Sequence, residues 1–354
     1  MTEYIVQDTS LTAIANKIRS ITGGSSPLEF PNEFIAELDN LLPTPPTTPS
    51  DSIIFYSRTP FILIIPNKNW NGSLYYSFDH NSWQELQNAT IYEAEFNGSW
   101  YTLYVRGESN TVLSDGSNGS RWYVSGNGIK CAGNLNNLLD YTQTITSIAT
   151  KAMANLFNKC ASVDFDVSLP ALQVGAYAYQ SMFQDCASMI KAPDLPAISV
   201  GATCYRDMFY GCTALTDVPD ILPATSVDVS SYDRMFGYCY SLKKCPKLPA
   251  TTLANSCYSS MFQNCYLLEQ IPELPAVTLK NYCYSAMFKG CSKIKLSETQ
   301  TGEYQTAYRI PSVGIGTDAT STMDVMFSLT GGTFTGTPSI NTTYYTSNTV
   351  ITTT

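Results

Sequence analysis

The sequence predicts an α+β protein with a short N-terminal helical module, a small antiparallel β-sandwich, and a solenoid of 26-residue units closed by a C-terminal cap. Three observations lead there. Apolar residues recur at steps of three and four near the start, β-branched and aromatic runs alternate with turn clusters from 51 to 145, and one phrase returns at a fixed interval from 146 onward.

The 354 residues leave room for two or three domains of ~100–200 residues each. A formal net charge of −9, with only 14% of residues charged, argues against nucleic acid and against an anionic membrane surface, since both recruit clustered Lys and Arg. With 24 tyrosines and 15 phenylalanines the surface must be largely hydroxyl, amide and aromatic, which suits sugar contacts or packing between subunits. MTEYIVQDTS shows neither the basic start nor the apolar run of a secretion signal, and no stretch approaches the ~20 apolar residues of a membrane-spanning helix. Synthesis in a bacterial cytoplasm, without membrane insertion, is the expectation.

Residues 1–42 read as the helical module. Ser10 caps a helix carrying Leu11, Ile14, Ile18 and Ile21, Gly23 and Gly24 stop it, and a second helix from Pro31 carries Phe34 and Leu38. So small a pair buries little alone, so Leu11, Ile14, Ile18, Phe34 and Leu38 are expected to pack on a partner. PTPPTTPS, residues 43–50, is a semi-rigid proline-rich spacer. Residues 51–145 hold SIIFYS, FILIIP, LYYSF, WYTLYVRG and RWYVSG between turn clusters such as NKNWNG and DHNS, the pattern of a sandwich.

Residues 146–295 carry the repeat. Phe157, Phe183, Phe209, Phe236, Phe262 and Phe288 stand 26, 26, 27, 26 and 26 residues apart. Three residues after each comes a cysteine: Cys160, Cys186, Cys212, Cys239, Cys265 and Cys291. Met182, Met208, Met235, Met261 and Met287 precede all but the first Phe, where Leu156 stands. An LP step follows in the second half of the first five units, at Leu169, Leu195, Leu222, Leu248 and Leu274. Cys204, Met208 and Cys212, at i, i+4 and i+8, are expected on the inner face of a helix, so that stacked units align Met, Phe and Cys in columns. Residues 296–354 lose the period except for MDVMFSLTGG and read as cap and extended tail.

The cysteines fit burial as small apolar side chains. Metal binding would call for CxxC or Cys/His spacing, which is missing, and the single histidine, His80, lies outside the repeats. Disulfides between adjacent units remain a second reading, against which the odd total of 11 and cytoplasmic synthesis both weigh.

The phrase MFxxCxxLxxxPxLPA resembles the BspA-like leucine-rich repeat of bacterial surface proteins and of proteins encoded by bacteriophages. SLTAIANKIRSITGGSSPLEFPNEFIAEL resembles a module of phage tail and other virion proteins, and FILIIPNKNWNG, RWYVSGNGIKCAGN and GEYQTAYRIP also look phage-associated. Leu156 and the longer unit before Phe236 depart from the pattern. The resemblance implies a leucine-rich-repeat-type solenoid in a virion structural protein of tail or head fibre type. Such a protein is attached to other virion proteins through its N-terminal module and displays its repeats for host-surface adhesion or receptor binding. A homotrimer, or failing that a dimer, facing a host cell-surface protein or glycan from the virion surface is the expectation. A purely architectural decoration of capsid or neck, and a prophage-encoded bacterial adhesin, are the alternatives.

No catalytic phrase appears: there is no GxSxG, Walker loop, HExxH, or GxGxxG after a strand, and SVGIGTD at 312–318 reads as a turn. Asp79 with Glu85, or Asp164 with Asp166, are the carboxylates to weigh as a glycosidase pair, and loop carboxylates are ordinarily just solvated. The reading is therefore non-enzymatic, with no catalytic residue, cofactor or metal. Trp70, Trp83, Trp100 and Trp122 all fall in the sandwich, where most should be core; Trp83, in DHNSWQEL, is the candidate glycan contact.

Overall fold

The computed structural model describes residues 43–353 except 66–68, 115, 118 and 119. The helical module expected over 1–42, with Leu11, Ile14, Ile18, Phe34 and Leu38, lies outside the described residues. Thr48–Thr354 form one compact unit.

IIFYS, the strand Ile53–Ser57, is apolar on both faces and sits inside the largest sheet. Its order is Val163–Ser168, Ile129–Asn134, Ile53–Ser57, Tyr101–Glu108, Ser73–Ser77 and Gln84–Glu85, with Glu95–Phe96 also on Tyr101–Glu108. Ile53 and Phe55 face the main core, while Ile54 and Tyr56 form a small cluster with Ala132 on the other side. Thr90–Glu93, Phe61–Ile65 and Tyr123–Gly126 make a second antiparallel sheet. Val163–Ser168 belongs to the first repeat and pairs in parallel with Ile129–Asn134, so the core runs without a break from the sheets into the repeats.

The predicted α+β class is overturned. Among the described residues there are eighteen strands in several small sheets and no α-helix; the one helical element is a 3-10 turn, Leu135–Leu138. The stretch of each repeat expected to be helical is a run of linked turns. In 203–212 the N–H groups of Cys204, Arg206, Met208, Tyr210 and Cys212 each donate to the carbonyl three residues back. Those of Thr203, Tyr205, Asp207, Phe209 and Gly211 donate instead to Val229, Ser231, Asp233, Met235 and Gly237 of the next repeat, at 2.9–3.0 Å. An α-helix cannot send alternate N–H groups sideways.

The switch is set by backbone sign. Every fourth residue is left-handed: Thr203 at φ 61°, Asp207 at 55° and Gly211 at 74°, with the same rhythm at Lys151, Asn155 and Lys159 and at Ser256, Ser260 and Asn264. A positive φ at the third position of a four-residue turn is the mark of a type II turn. The four-residue step of this chain of turns gives the i, i+4, i+8 alignment that reads as a helix face in the sequence. Left-handed φ costs an L-residue roughly 1–2 kcal/mol, offset here by hydrogen bonds to the neighbour and by burial.

The extended halves do not merge into a continuous sheet, which is the second departure from a leucine-rich-repeat solenoid. Between successive repeats, parallel strand pairing is confined to Ser147–Ile148, Gln173–Val174 and Ser199–Val200, two residues each, followed by isolated bridges such as Lys191 to Asp217 and Ile221 to Lys247. The 27-residue step is absorbed at the surface. Lys191 still pairs 26 residues on with Asp217, whereas Leu195 and Leu222 are 27 apart, so the extra residue lies between Asp217 and Leu222, beside half-exposed Ile221.

Aromatic rings fill the interior in two columns. Phe157, Phe183, Phe209, Phe236, Phe262, Phe288 and Phe327 stack with centroids 5.5–5.9 Å apart. Tyr179, Tyr205, Tyr232, Tyr258 and Tyr284 form the second, at 5.4–6.0 Å. The longer unit does not break either one: Phe209 and Phe236 are 5.5 Å apart and nearly parallel. Residues 321–330 repeat the turns once more, and the C-terminal strand Thr349–Ile351 pairs in parallel with Gln270–Pro272.

Phe236 has neighbours in its column on both sides and is fully buried. Phe236→Ala should therefore lower unfolding free energy by about 3–5 kcal/mol, measured by urea titration, and a loss under 1 kcal/mol would contradict a close-packed column.

Candidate functional site

The sulfur atoms have a structural task. All eleven cysteines are free and buried. Cys186, Cys212, Cys239, Cys265 and Cys291 each direct Sγ at the carbonyl of the Phe in the preceding repeat, at 3.0–3.2 Å, and Cys160 does the same to Trp122 at 3.2 Å. That Phe carbonyl already accepts the N–H of its own repeat's cysteine, for example Cys160 to Phe157 at 3.1 Å, so the thiol uses its second lone pair. Burial pushes the thiols of Cys160 and Cys265 up to about 12 and that of Cys283 up to about 11, far from the thiolate needed for attack or ligation. Among the described residues no group of three or more His, Cys, Asp or Glu is placed to hold a metal ion.

Phe157, Met182, Phe183, Met208, Phe209, Met235, Phe236, Met261, Phe262, Met287 and Phe288 are all fully buried beside these sulfurs.

The carboxylates weighed for catalysis sit in four different settings. Asp79 accepts the N–H groups of Asn81 and Ser82 at 2.9 and 2.8 Å and the Ser77 hydroxyl at 2.9 Å, hydrogen bonds that depress its carboxyl far below the usual range. It organises a turn. Glu85 is exposed on a short strand. Asp164 pairs with Lys130 at 3.5 Å and accepts the Ile190 N–H at 3.2 Å, and Asp166 lines a different, shallow groove of about 400 Å³ with Lys191 and Asp194.

Trp70 and Trp122 are core. Trp100 is half-buried, with Tyr56 at its edge and Arg58 over its ring at 3.8 Å. Trp83 is half-buried too, and one ring face is taken by the Arg106 guanidinium, 3.9 Å from it and 3.9 Å from Tyr141 on the other side. Arg106 and His80 converge on Asp51 at 2.8 and 2.7 Å, so Trp83 is one wall of a built ion cluster.

The repeats carry a second aromatic group, on the outside. Tyr210, Tyr238, Tyr240 and Tyr266 follow one another at centroid distances of 5.0, 6.2 and 5.1 Å across three repeats, and Tyr240 and Tyr266 are 39% and 44% exposed. Beside them Arg206 bridges Asp207 and Asp233 at 3.4 and 3.3 Å, and Arg234 bridges the same two at 3.0 and 3.9 Å. Both aspartates are largely buried. Burial pushes the Asp233 carboxyl up to about 6 against the pull of the two guanidinium groups. Sequence reasoning passed over this face, although Tyr240 and Tyr266 are one 26-residue step apart in a column that otherwise holds Ala161, Ala187, Thr213 and Ser292.

Compared with protein families, curated proteins and solved structures, the chain matches none of them.

Two measurements follow from these environments. Alkylation of the native chain should leave the thiols largely unmodified, and denaturation should then yield eleven adducts by intact mass; fast native labelling of several sites would refute the buried columns. Asp233 has a folded value above the unfolded 3.8, so the folded chain holds the extra proton and this residue's contribution to stability declines as pH rises from about 4 to about 6. Asp233→Asn should accordingly gain on the parent chain by on the order of 1–2 kcal/mol between pH 4 and pH 7 in parallel melts, and a pH-independent difference would refute the assignment.

Proposed function

We propose that this chain is a non-enzymatic structural protein of a bacteriophage particle, of tail or head fibre type, that presents its repeats for adhesion to the host surface. The observation that carries the reading is the division of chemistry within the repeats: every thiol is buried and hydrogen-bonded or packed, while the outward positions present tyrosine rings and hydroxyl groups. A surface of that kind binds by contact and holds no poised nucleophile. The resemblance of MFxxCxxLxxxPxLPA and of the N-terminal segment to phage-associated proteins supports the same assignment. Residues 1–42 attach the chain to other virion proteins, and several copies per particle, a trimer in the simplest arrangement, turn weak individual contacts into firm adhesion through effective concentration.

Mass spectrometry of purified particles should find the chain. Pre-incubating host cells with an excess of the full-length chain should slow particle adsorption at least about tenfold, as competition for multivalent contacts implies. Adsorption at an unchanged rate would reject the adhesive role.

A further inference from the structure

We infer that Tyr210, Tyr238, Tyr240 and Tyr266, with the adjoining Arg206, Asp207, Asp233 and Arg234, form a binding face for a neutral carbohydrate chain. This rests on the adhesive role proposed above and gives it a site and a ligand class.

The rings are fixed before any ligand arrives. Tyr240 and Tyr266 lie in one column and stack at 5.1 Å with 12° between their planes, and the two residues are still 39% and 44% exposed. The Ser292 hydroxyl donates to the Tyr266 carbonyl at 3.1 Å, and Ser241 donates to the Thr213 carbonyl at 2.7 Å, pinning the backbone on both flanks. Tyr210 leans onto the following repeat at Gly237, where an added Cβ would come within 3.1 Å of its ring. Rings held this way lose little conformational freedom on contact, which favours binding.

Chemistry selects the occupant. A tyrosine ring offers an apolar face to the C–H side of a sugar and a hydroxyl at its rim. The guanidinium groups of Arg206 and Arg234, on side chains 37% and 36% exposed, provide planar donors beside the row, while the largely buried Asp207 and Asp233 hold them in place. The four charges cancel, and the chain as a whole is at −9, so a polyanion is not favoured. The face runs over three successive repeats in single file, and the column of Tyr240 and Tyr266 continues at the equivalent positions Thr213 and Ser292. That form follows a linear polymer better than a second copy of the chain, since a stable dimer contact needs about 800 Å² per partner around an apolar centre.

The full-length chain, applied to a printed array of neutral and anionic oligosaccharides, should retain neutral ones. The double variant Tyr240→Ala, Tyr266→Ala should weaken that binding about tenfold or more, since one lost aromatic contact is enough for such a change, at an unchanged melting temperature. Tyr240→Phe with Tyr266→Phe keeps the rings and should retain most of the affinity. The inference is overturned if no neutral glycan is held, if only anionic ones are, if the alanine variant binds like the parent, or if the alanine changes instead dissolve an association between copies. Attachment of the same proteins to host cells separates the two levels. Attachment that persists in the alanine variant removes this site and leaves adhesion standing, whereas a parent chain that does not attach removes the adhesive role itself.

Discussion

Within each turn segment, alternate N–H groups close the turns of their own repeat while the others reach carbonyls of the next, and that division constrains everything else in the molecule. No unit can satisfy its own backbone, and an unpaired buried N–H or carbonyl is costly. Each repeat therefore needs a neighbour at a fixed register. The ends are supplied from outside the repeats. On one side Leu113 and Trp122 donate to the carbonyls of Ala152 and Leu156, and on the other residues 321–330 receive the last full repeat, with Tyr284 donating to Thr322 and Phe288 to Met326.

Register in the backbone imposes register on the side chains. Because equivalent positions superpose at one repeat's spacing, a Phe must lie on a Phe and a buried Tyr on a Tyr, and flat rings are the side chains that fill such a column without voids. Cysteine answers a narrower need. The Phe carbonyl faces the interior with a lone pair to spare, and a thiol is small and apolar enough for the core yet still a weak donor. Thus the residues that look most reactive in the sequence are held as packing elements, and chemistry directed at a partner is left to the outer positions, where the Tyr row and the Arg–Asp network stand.

Much of this was legible in the sequence because a period survives any change of local conformation. Phe157 through Phe288, their cysteines and their methionines share an environment whatever backbone carries them, and spacing alone reveals it. The helix did not survive because residues four apart align equally in an α-helix and in a chain of turns with a left-handed residue every fourth position. Asp207, Asn155 and Gly211 hinted at the second, but Thr203, Lys151 and Tyr282 occupy the same left-handed sites and carry no such signal. The Tyr row was hidden for a related reason. Tyr210 and Tyr238 stand at different positions in their repeats, and only the lean of Tyr210 over Gly237 brings their rings to 5.0 Å.

By itself the sequence determined the repeat, its length, the one longer unit and which residues turn inward, since these depend on composition and spacing. Tertiary structure decided the rest. Whether a turn segment closes its N–H groups along its own axis or lends half of them to a neighbour depends on that neighbour being present, and no single 26-residue unit contains that information. The same holds for Arg206, Asp207, Asp233 and Arg234, which become one neutral cluster only when two repeats are laid side by side.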